Sequence, residues 1–397
     1  MGIFSKNKNK LILVFNVGSS NISGALFWAQ NSGIPKIIFS DIEPIHIEDK
    51  LDINKFLSSA MQSLDAVAGR IRKANMGTPQ EVFCVLSSPW HVSQTRIINF
   101  KKNTPFIFTA RLAESLVQKE ISLFEEENLK KDSNADTANR TIEVKNIKTI
   151  LNGYETSEPL NQKTKELEMT VFISFGEEKF LKTIEDNIAK YFHFNQIRFS
   201  SFSLAFFTIV RDMYIQKENF LLLDIGGEVT SISMVKKNIL REGITFPIGR
   251  NFFTRGVARD LGCTLSEAGS LISLFKDGHA EESVAAKMTI TMGQLRTEWL
   301  KSFQESLANL SNDISIPATI YLSTDKDLAD FFCQTIKSEQ FNQYTLTESK
   351  FEIIFLDTSV FHGIAVFAEP AIREPTLIIN SVYINRFLIY PATMGRV

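Results

Sequence analysis

The sequence predicts an α/β fold made of two related halves that face each other across a cleft. Two similar hairpins, Phe15–Ser23 and Leu223–Ser231, each carry a glycine turn after an apolar strand and before a second one. Glycine tolerates positive φ and lets the backbone approach a ligand closely. Successive backbone N–H groups in such turns form concave sites for phosphate oxygens. Two turns, one from each half, would therefore grip one nucleotide phosphate tail from opposite sides.

Length and composition set the class of protein. A chain of 397 residues with 44% apolar residues and a net charge of −2 is typical of a soluble globular protein of two to three domains. The balanced charge argues against broad binding of nucleic acid. Three cysteines and five scattered histidines argue against a disulfide framework and a zinc site. Because no apolar run reaches the ~18 residues of a membrane span and no signal peptide is visible, we expect a cytoplasmic protein.

Apolar periodicity gives the elements of the first half. Leu11–Trp28 predicts the first hairpin, and Phe56–Lys73 predicts an amphipathic helix. Val82–Leu86 predicts a buried strand that stops before Pro89, because the residue preceding a proline is kept extended. Arg96–Phe100 predicts a further strand. Trp90, next to this turn, is interpreted either as an anchor of the first half or as part of a partner surface.

The apolar pattern of the sequence changes near residue 105. The pattern over residues 105–200 predicts a small α+β insert. Its polar stretch, Glu125–Arg140, has no apolar period and predicts a loop. Strict alternation from Leu167 to Phe175 predicts a strand. The remaining predicted elements of the insert are a helix over Leu112–Glu127, a strand over Ile142–Leu151 and a helix over Glu177–Phe192.

The second half begins with the repeated hairpin over 220–235. Ser266 is the predicted N-cap of a helix that runs to Phe275. The tail from Phe387 shows no amphipathic period. The other predicted elements are strands over Ile239–Pro247, Ile320–Ser323 and Phe351–Leu356, and helices over Phe252–Leu261, Ile290–Leu310 and Asp327–Ile336. The predicted divisions are 1–104 and 201–250 for the two hairpin halves, 105–200 for the insert, 251–315 for a helical subdomain, and 316–397 for a return to the second half and the tail.

With this order of elements the chain resembles the actin-like ATPase superfamily, and within it the bacterial FtsA and PilM proteins. Asp224–Gly227 and the strand that follows are similar to the second phosphate motif of that superfamily. Phe246–Gly249, followed by Ala258–Gly262 and Ser266–Ala268, also resembles these proteins. The insert lies where they carry the subdomain that distinguishes them from actin. The start, Met1–Lys6, is similar to the opening of PilM proteins.

The resemblance implies an actin-like, ribonuclease H-like duplicated fold with an FtsA-type insert in the first half, and ATP with Mg²⁺ in the cleft. Asp224 would be the catalytic, magnesium-facing carboxylate, and Asn16 stands where the superfamily carries the second aspartate. Glu267 would reach the ribose. The cofactor-binding residues that the resemblance implies are Asn16, Gly18, Ser19, Ser20, Asn21, Asp224, Gly226, Gly227, Glu267, Ser323 and Thr324.

Several positions depart from the superfamily pattern. Asn16 removes one formal charge from the expected magnesium site, and Mg²⁺ prefers carboxylate and phosphate oxygens. Glu228 is expected to place a like charge near the phosphates. Ser323–Asp325 replace the glycines that lie against the adenosine. These departures predict a degenerate site, with at most weak ATPase activity.

The implied function is that of a cytoplasmic scaffold on the inner face of the cell membrane. It would link division-ring proteins, or in the alternative PilM-type role pilus proteins, to that membrane, and it would self-associate. Met1–Lys10 is interpreted as a peripheral membrane contact or as a frayed terminus. A second alternative is a small-molecule kinase of the same superfamily, which needs a catalytic base that only Asp224 could supply. A chaperone is disfavoured because no peptide-binding domain follows the second half.

Overall fold

A computed structural model describes residues 9–131, 138–311, 315–339 and 350–390. The strands are β1 (Leu11–Val17), β2 (Asn21–Trp28), β3 (Lys36–Pro44), β4 (Glu81–Leu86), β5 (Val92–Ile107), β6 (Asn139–Leu151), β7 (Tyr154–Glu155), β8 (Lys163–Glu177), β9 (Ile197–Ser201), β10 (Phe220–Ile225), β11 (Thr230–Lys236), β12 (Ile239–Phe246), β13 (Thr319–Thr324), β14 (Glu352–Phe355) and β15 (Val366–Phe367). The helices are α1 (Ile53–Ala74), α2 (Ala110–Lys131), α3 (Glu178–Ala189), α4 (Phe202–Met213), α5 (Arg250–Leu261), α6 (Leu265–Lys276), α7 (Glu282–Leu310), α8 (Lys326–Ser338) and α9 (Pro375–Tyr383), which continues as a π-helical segment over Ile384–Ile389.

The two large sheets repeat one topology. The strand order is β15-β3-β2-β1-β4-β9 in the first sheet and β12-β11-β10-β13-β14 in the second. In both sheets a three-stranded antiparallel meander is extended by parallel strands on the side of its first strand. β1 therefore corresponds to β10, and Asn16 and Asp224 both lie one residue before the end of their strand. The repeated topology confirms the prediction of a duplicated α/β fold.

Helices cover both faces of each sheet. α1 and α3 pack on the outer face of the first sheet, and α5 to α8 pack on the outer face of the second. α4 and α9 lie between the sheets, in one apolar cluster that contains Val14 of β1 and Leu222 of β10. Every residue of β1 is buried, because strands that are covered on both faces have no solvent side. The two halves thus share a core beneath the cleft.

The insert is a separate four-stranded sheet of order β5-β8-β6-β7, with α2 packed on one face. It extends over residues 92–177, whereas the sequence predicted 105–200. Arg96–Phe100 is part of the long strand β5, which pairs with β8 along most of its length. α3 and β9 contribute to the core of the first half, through Ile184 and Ile197 among others. We therefore propose 92–177 as the bounds of the insert.

Two local predictions are wrong. α2 continues to Lys131, so the first part of the predicted loop over 125–140 is helical; residues 132–137 lie outside the described residues, and β6 begins at Asn139. The N-cap of α6 is Thr264 instead of Ser266. Its hydroxyl accepts from the Glu267 N–H, and the Glu267 carboxylate bonds back to the Thr264 N–H, which forms a capping box.

The C-terminal segment crosses back to the first half. β15 pairs in parallel with β3, and the side-chain carbonyl of Asn385 accepts a hydrogen bond from the Gln30 N–H at 2.7 Å. The side chain of Arg386 donates to the Gly33 carbonyl at 2.8 Å. The sequence predicts no element for α9, because its polar residues Asn380 and Ser381 are buried together with the apolar ones and leave no amphipathic period. In the described part of the chain, no helix is long and apolar enough to cross a membrane.

Gly24 of β2 is the point at which α1 approaches the first sheet most tightly, and this generates a prediction. A Cβ added there would lie 2.6 Å from Cδ1 of Ile71 and 3.0 Å from Cγ1 of Val67. We expect Gly24→Val to lower the free energy of unfolding by about 2 kcal/mol, because overpacking forces neighbouring side chains and the backbone to move. Urea denaturation measures this loss.

The matched control is Gly243→Val in β12, where the nearest atom, the Ser233 hydroxyl oxygen, would be 3.4 Å from the new Cβ. This variant is expected to stay within about 0.5 kcal/mol of the parent. Equal losses in both variants would contradict a tight contact between β2 and α1.

Candidate functional site

The first glycine turn joins β1 to β2 and is supported by an aromatic stack. The Gly18 N–H donates to the Asn21 carbonyl at 3.2 Å, and the indole N–H of Trp90 donates to the Gly18 carbonyl at 2.7 Å. Trp90 is stacked between Phe56 and Phe180, with ring centroids 5.3 and 4.4 Å away. Of the two interpretations of Trp90, the structure favours the anchor, because its ring and its N–H are both engaged within the first half.

The second glycine turn joins β10 to β11 and caps α5. The Gly226 N–H closes the turn on the Val229 carbonyl at 2.9 Å. The carbonyls of Gly226 and Gly227 accept from the N–H groups of Arg250 and Asn251, at 2.9 and 2.8 Å. The first N–H groups of a helix have no partner within it and often bind anions. Here two of them are occupied by the turn itself, so they are not free for a phosphate.

The two turns touch. The Ser19 hydroxyl accepts a hydrogen bond from the Glu228 N–H at 3.2 Å, and Ser19 is only 2% exposed. A Cβ added at Gly227 would lie 2.3 Å from the Ser19 carbonyl oxygen, and one at Gly226 would lie 2.5 Å from its hydroxyl oxygen. Glycine is therefore required at both positions for the halves to approach this closely. The predicted confrontation of the two turns is a direct contact.

A buried ion pair of the second half lies beside this contact, and its Arg255 reaches the first half. The Glu228 carboxylate accepts two hydrogen bonds from the Arg255 guanidinium, both at 2.7 Å, and a third from the Asn251 side-chain amide, also at 2.7 Å. The Nε–H of Arg255 donates to the Glu48 carbonyl of the first half at 2.8 Å. We call Ser19, Glu48, Glu228, Asn251 and Arg255 the latch. The like charge that Glu228 is expected to place near the phosphates is paired with Arg255.

Asn16 is 3% exposed, and its carbonyl oxygen accepts from the side-chain amide of Asn380 at 3.1 Å. Asn380 belongs to α9, which the sequence did not predict. The carbonyl oxygen of Asn380 is itself buried and has no hydrogen-bond partner among the described residues. The position that would carry a magnesium-facing aspartate is thus a neutral amide tied to another neutral amide.

Asp224 faces the cleft from the end of β10 in an environment that disfavours its charge. Burial raises the pKa of this carboxyl to about 7, and the carboxylates of Asp325 and Glu374 add to the rise, while a hydrogen bond with Ser323 opposes it. Asp325 is paired with the Arg250 guanidinium at 2.7 Å. Burial also raises the pKa of Glu374, which caps α9. At neutral pH Asp224 is therefore protonated in about half of the molecules.

A cavity of about 240 Å³ lies between the halves, next to the contact of the turns. Its volume is below the range of about 300–1,000 Å³ that is usual for ligand pockets. The structure brings most of the predicted site residues together around it. Those that line it are Asn16, Gly18, Ser19, Ser20, Asn21, Asp224, Gly226, Ser323 and Thr324.

Two predicted site residues do not line this cavity. Gly227 packs against Ser19 instead, and Glu267 lies at the exposed start of α6, engaged in the capping box with Thr264. Sequence reasoning also missed the latch. The i, i+4 spacing of Asn251 and Arg255 puts both on one side of α5 and was the available signal, but nothing local indicates that they meet Glu228.

Mg²⁺ with a phosphate chain fits this cleft poorly. The amide of Asn16 is engaged by Asn380, and Asp224 is half protonated. The described residues contain no cluster of three or more His, Cys, Asp or Glu side chains that could hold a metal ion. Four acids and two bases line the cavity, so a polyanion would meet like charge. These charged residues are Asp224, Asp325, Lys326, Asp357, Arg373 and Glu374.

Comparison with known proteins adds information on the fold. No family model matches the sequence, and no curated protein matches it. Among solved structures, the PilM-PilN type IV pilus biogenesis complex is similar over 94% of this chain and 96% of that chain, at 12% identity and a TM-score of 0.55.

Two further solved structures are more distant. The ethanolamine utilization protein EutJ from Carboxydothermus hydrogenoformans is 9% identical over 94% of this chain and 88% of that chain, with a TM-score of 0.43. A Bacteroides thetaiotaomicron protein with actin-like ATPase fold and unknown function is 10% identical over 96% and 98%, with a TM-score of 0.40. The repeated sheets and the likeness to the PilM-PilN structure agree: the chain has the actin-like ATPase fold, with PilM-type similarity.

Proposed function

We propose that this protein is a partner-binding scaffold in which side chains, instead of a magnesium–nucleotide complex, keep the two halves closed. The observation that carries the proposal is the latch, which joins Ser19 and Glu48 of the first half to Glu228 and Arg255 of the second. The pair between Glu228 and Arg255 lies within the second half, and it fixes the two N–H donors that reach Ser19 and Glu48 across the cleft. The protein would then be a fixed scaffold with no ATPase activity.

The partner is proposed from a likeness with a TM-score of 0.55. That solved structure is a complex of PilM with PilN in type IV pilus biogenesis. By analogy, this chain would bind a protein of a pilus or a division machinery at the inner face of the membrane, with a pilus-type partner preferred. Self-association and a membrane contact through residues 1–10 belong to the same hypothesis. Residues 1–8 lie outside the described residues, and Lys10 is paired with Glu81 at 2.8 Å.

A second candidate function is a nucleotide-controlled switch. The cavity supports it, because both glycine turns and Asp224 line one space. In that case ATP would enter when the latch opens, and the angle between the halves would depend on the nucleotide. A small-molecule kinase would additionally show ATP turnover that depends on the presence of a sugar.

Nucleotide binding separates these candidates. We expect 1 mM ATP with Mg²⁺ to raise the free energy of unfolding by less than about 0.4 kcal/mol. This is the stabilisation that corresponds to a Kd near 1 mM. Thermal and urea denaturation with and without the nucleotide measure this gain. Asp224→Ala, as the paired control, is expected to respond like the parent.

If the protein is a nucleotide-controlled switch with a Kd near 10 μM, ATP should instead raise the free energy of unfolding by about 2.7 kcal/mol. This increase should be absent in Asp224→Ala. That result would refute the fixed scaffold. Sugar-dependent release of ADP would point to the kinase.

The latch itself can be tested with Arg255→Ala. We expect a loss of about 3 kcal/mol in the free energy of unfolding, because the buried Glu228 carboxylate is left without its cation. Amide exchange in the turn over 18–21 should rise at the same time, as the halves separate. Urea denaturation and hydrogen exchange provide the two measurements.

Arg259→Ala on the same helix is the matched control, since Arg259 is 69% exposed and pairs with its neighbour Asp260. Arg259→Ala should lower the free energy of unfolding by less than about 0.5 kcal/mol. In the double variant Glu228→Ala, Arg255→Ala the loss should be smaller than the sum of the single losses. Strict additivity, or unchanged exchange in the first turn, would show that the latch does not close the cleft.

The raised pKa of Asp224 predicts a pH dependence of stability. A folded-state pKa of about 7, above the ordinary 3.8, means that this carboxyl favours folding at low pH and that its contribution is lost as the pH rises through 7. The free energy of unfolding of Asp224→Asn, taken relative to that of the parent, should therefore rise by about 2 kcal/mol from pH 5 to pH 8.

Urea denaturation at both pH values measures the difference. Asp49→Asn, a substitution of an exposed aspartate, should keep the pH dependence of the parent. If Asp224→Asn follows the parent as well, Asp224 is ionised throughout this range and remains available to a cation.

A further inference from the structure

A large cavity lies between the insert and the second half, away from the cleft. It has a volume of about 1100 Å³. Five segments border it: the start of β5, the end of α2, the stretch that leads into β10, the β11–β12 hairpin and the stretch that leads into β13. We call it the insert groove. Neither the glycine turns nor the latch contribute to it.

One wall of the insert groove is the edge of a β-strand. Five of the six residues from Val92 to Ile97 line the groove, with Arg96 as the exception. Side chains of a strand alternate between the two faces of its sheet, so a nearly continuous run of lining residues means that the strand borders the groove with its edge. In the described part of the chain β5 pairs with β8 alone, on its other side. β12 packs near β5 without pairing with it, so the outer N–H and C=O groups of β5 have no strand partner among the described residues.

The opposite wall is cationic. Lys236, Lys237 and Arg241 line the groove, against the single acid Glu242. None of the three bases has an ion-pair partner among the described residues. Burial, and then the neighbouring Arg241 guanidinium, lower the pKa of Lys236, and its ammonium bonds to the Ser315 hydroxyl at 3.4 Å. The positive charge of this wall is not compensated by the protein.

The floor of the groove combines apolar contacts with unused polar atoms. The hydroxyl of Thr95 and the side-chain NH₂ of Asn128 are buried and have no hydrogen-bond partner among the described residues. Buried polar groups are normally paired, so two such atoms in one groove indicate an absent partner. Val92 and Ile97 are 47% and 46% exposed beside them. They are five residues apart and so lie on opposite faces of the sheet, where each provides apolar surface for an added strand.

We propose that the insert groove binds an extended, acidic segment of a partner protein, which adds a strand to the free edge of β5. Main-chain hydrogen bonds to β5 would give affinity, and pairing of its carboxylates with Lys237 and Arg241 would give specificity. A run of about six residues matches the edge from Val92 to Ile97. The proposal rests on the proposed function only in that the protein acts by binding another protein; it does not depend on the state of the cleft.

The test uses the full chain and three fluorescent nonapeptide probes. The first alternates Glu and Val, the second alternates Lys and Val, and the third is the Glu–Val peptide with a central proline. We expect the fluorescence anisotropy of the Glu–Val probe to show binding at low salt. Binding should also slow hydrogen exchange of the β5 amides. The Lys–Val probe should not bind, and the proline probe should bind at least about tenfold more weakly, because proline removes a main-chain donor.

The double variant Lys237→Glu, Arg241→Glu should weaken binding of the Glu–Val probe about tenfold, which corresponds to about 1.4 kcal/mol. The matched control is the double variant Lys287→Glu, Lys301→Glu, which makes the same change in net charge at exposed positions of α7 that do not line the groove. Unchanged melting temperatures verify that both variants fold. The latch variants of the cleft should bind the probe as the parent does, so the outcome for the groove is separate from that for the closed scaffold.

Three results would overturn the proposal. The first is no binding of the Glu–Val probe, and the second is equal binding of all three probes. The third is a molar mass, measured by light scattering, that rises to that of a dimer as the protein concentration increases, with loss of probe binding. This result would assign the groove to a second copy of the chain.

Discussion

A buried pair between Glu228 and Arg255 lies beside the contact of the two glycine turns, and the proposed closure of the cleft rests on it. Glu228 directly follows the second glycine turn, and its N–H reaches Ser19 of the first turn. Its carboxylate is satisfied by three hydrogen bonds from α5, which gives the charge the partners that burial requires. Arg255 extends this network to Glu48 of the first half. One acidic side chain therefore connects the turn, the helix and the opposite half.

The glycines make this closure geometrically possible. The backbone at Gly227 approaches Ser19 so closely that any Cβ would overlap its carbonyl oxygen. Gly249, the N-cap of α5, is similarly close to the carbonyls of Gly226 and Gly227. In this chain the conformational freedom of the glycine turns brings protein against protein.

The cleft and the insert groove differ in the charges that line them. The cleft concentrates carboxyl groups, and the pKa of Asp224 is raised to about 7 because burial and its acidic neighbours disfavour the charge. The insert groove instead exposes uncompensated bases beside a free strand edge. A polyanionic nucleotide and an acidic peptide would thus meet opposite conditions at the two sites. This contrast makes the groove the more favourable of the two for an anionic ligand.

The sequence alone determined the duplicated α/β fold, the insert and the meeting of the two turns, because these follow from apolar periods and from glycines at equivalent strand ends. The family resemblance supplied the nine predicted site residues that lie around the cavity. The sequence did not determine the course of α9, since a buried helix that mixes Asn380 and Ser381 with apolar residues leaves no periodic signal. The pairing of Glu228 with Arg255, the amide contact of Asn16 with Asn380 and the pKa of Asp224 were decided by tertiary structure. Each depends on groups that are distant in sequence and become neighbours only when the chain is folded.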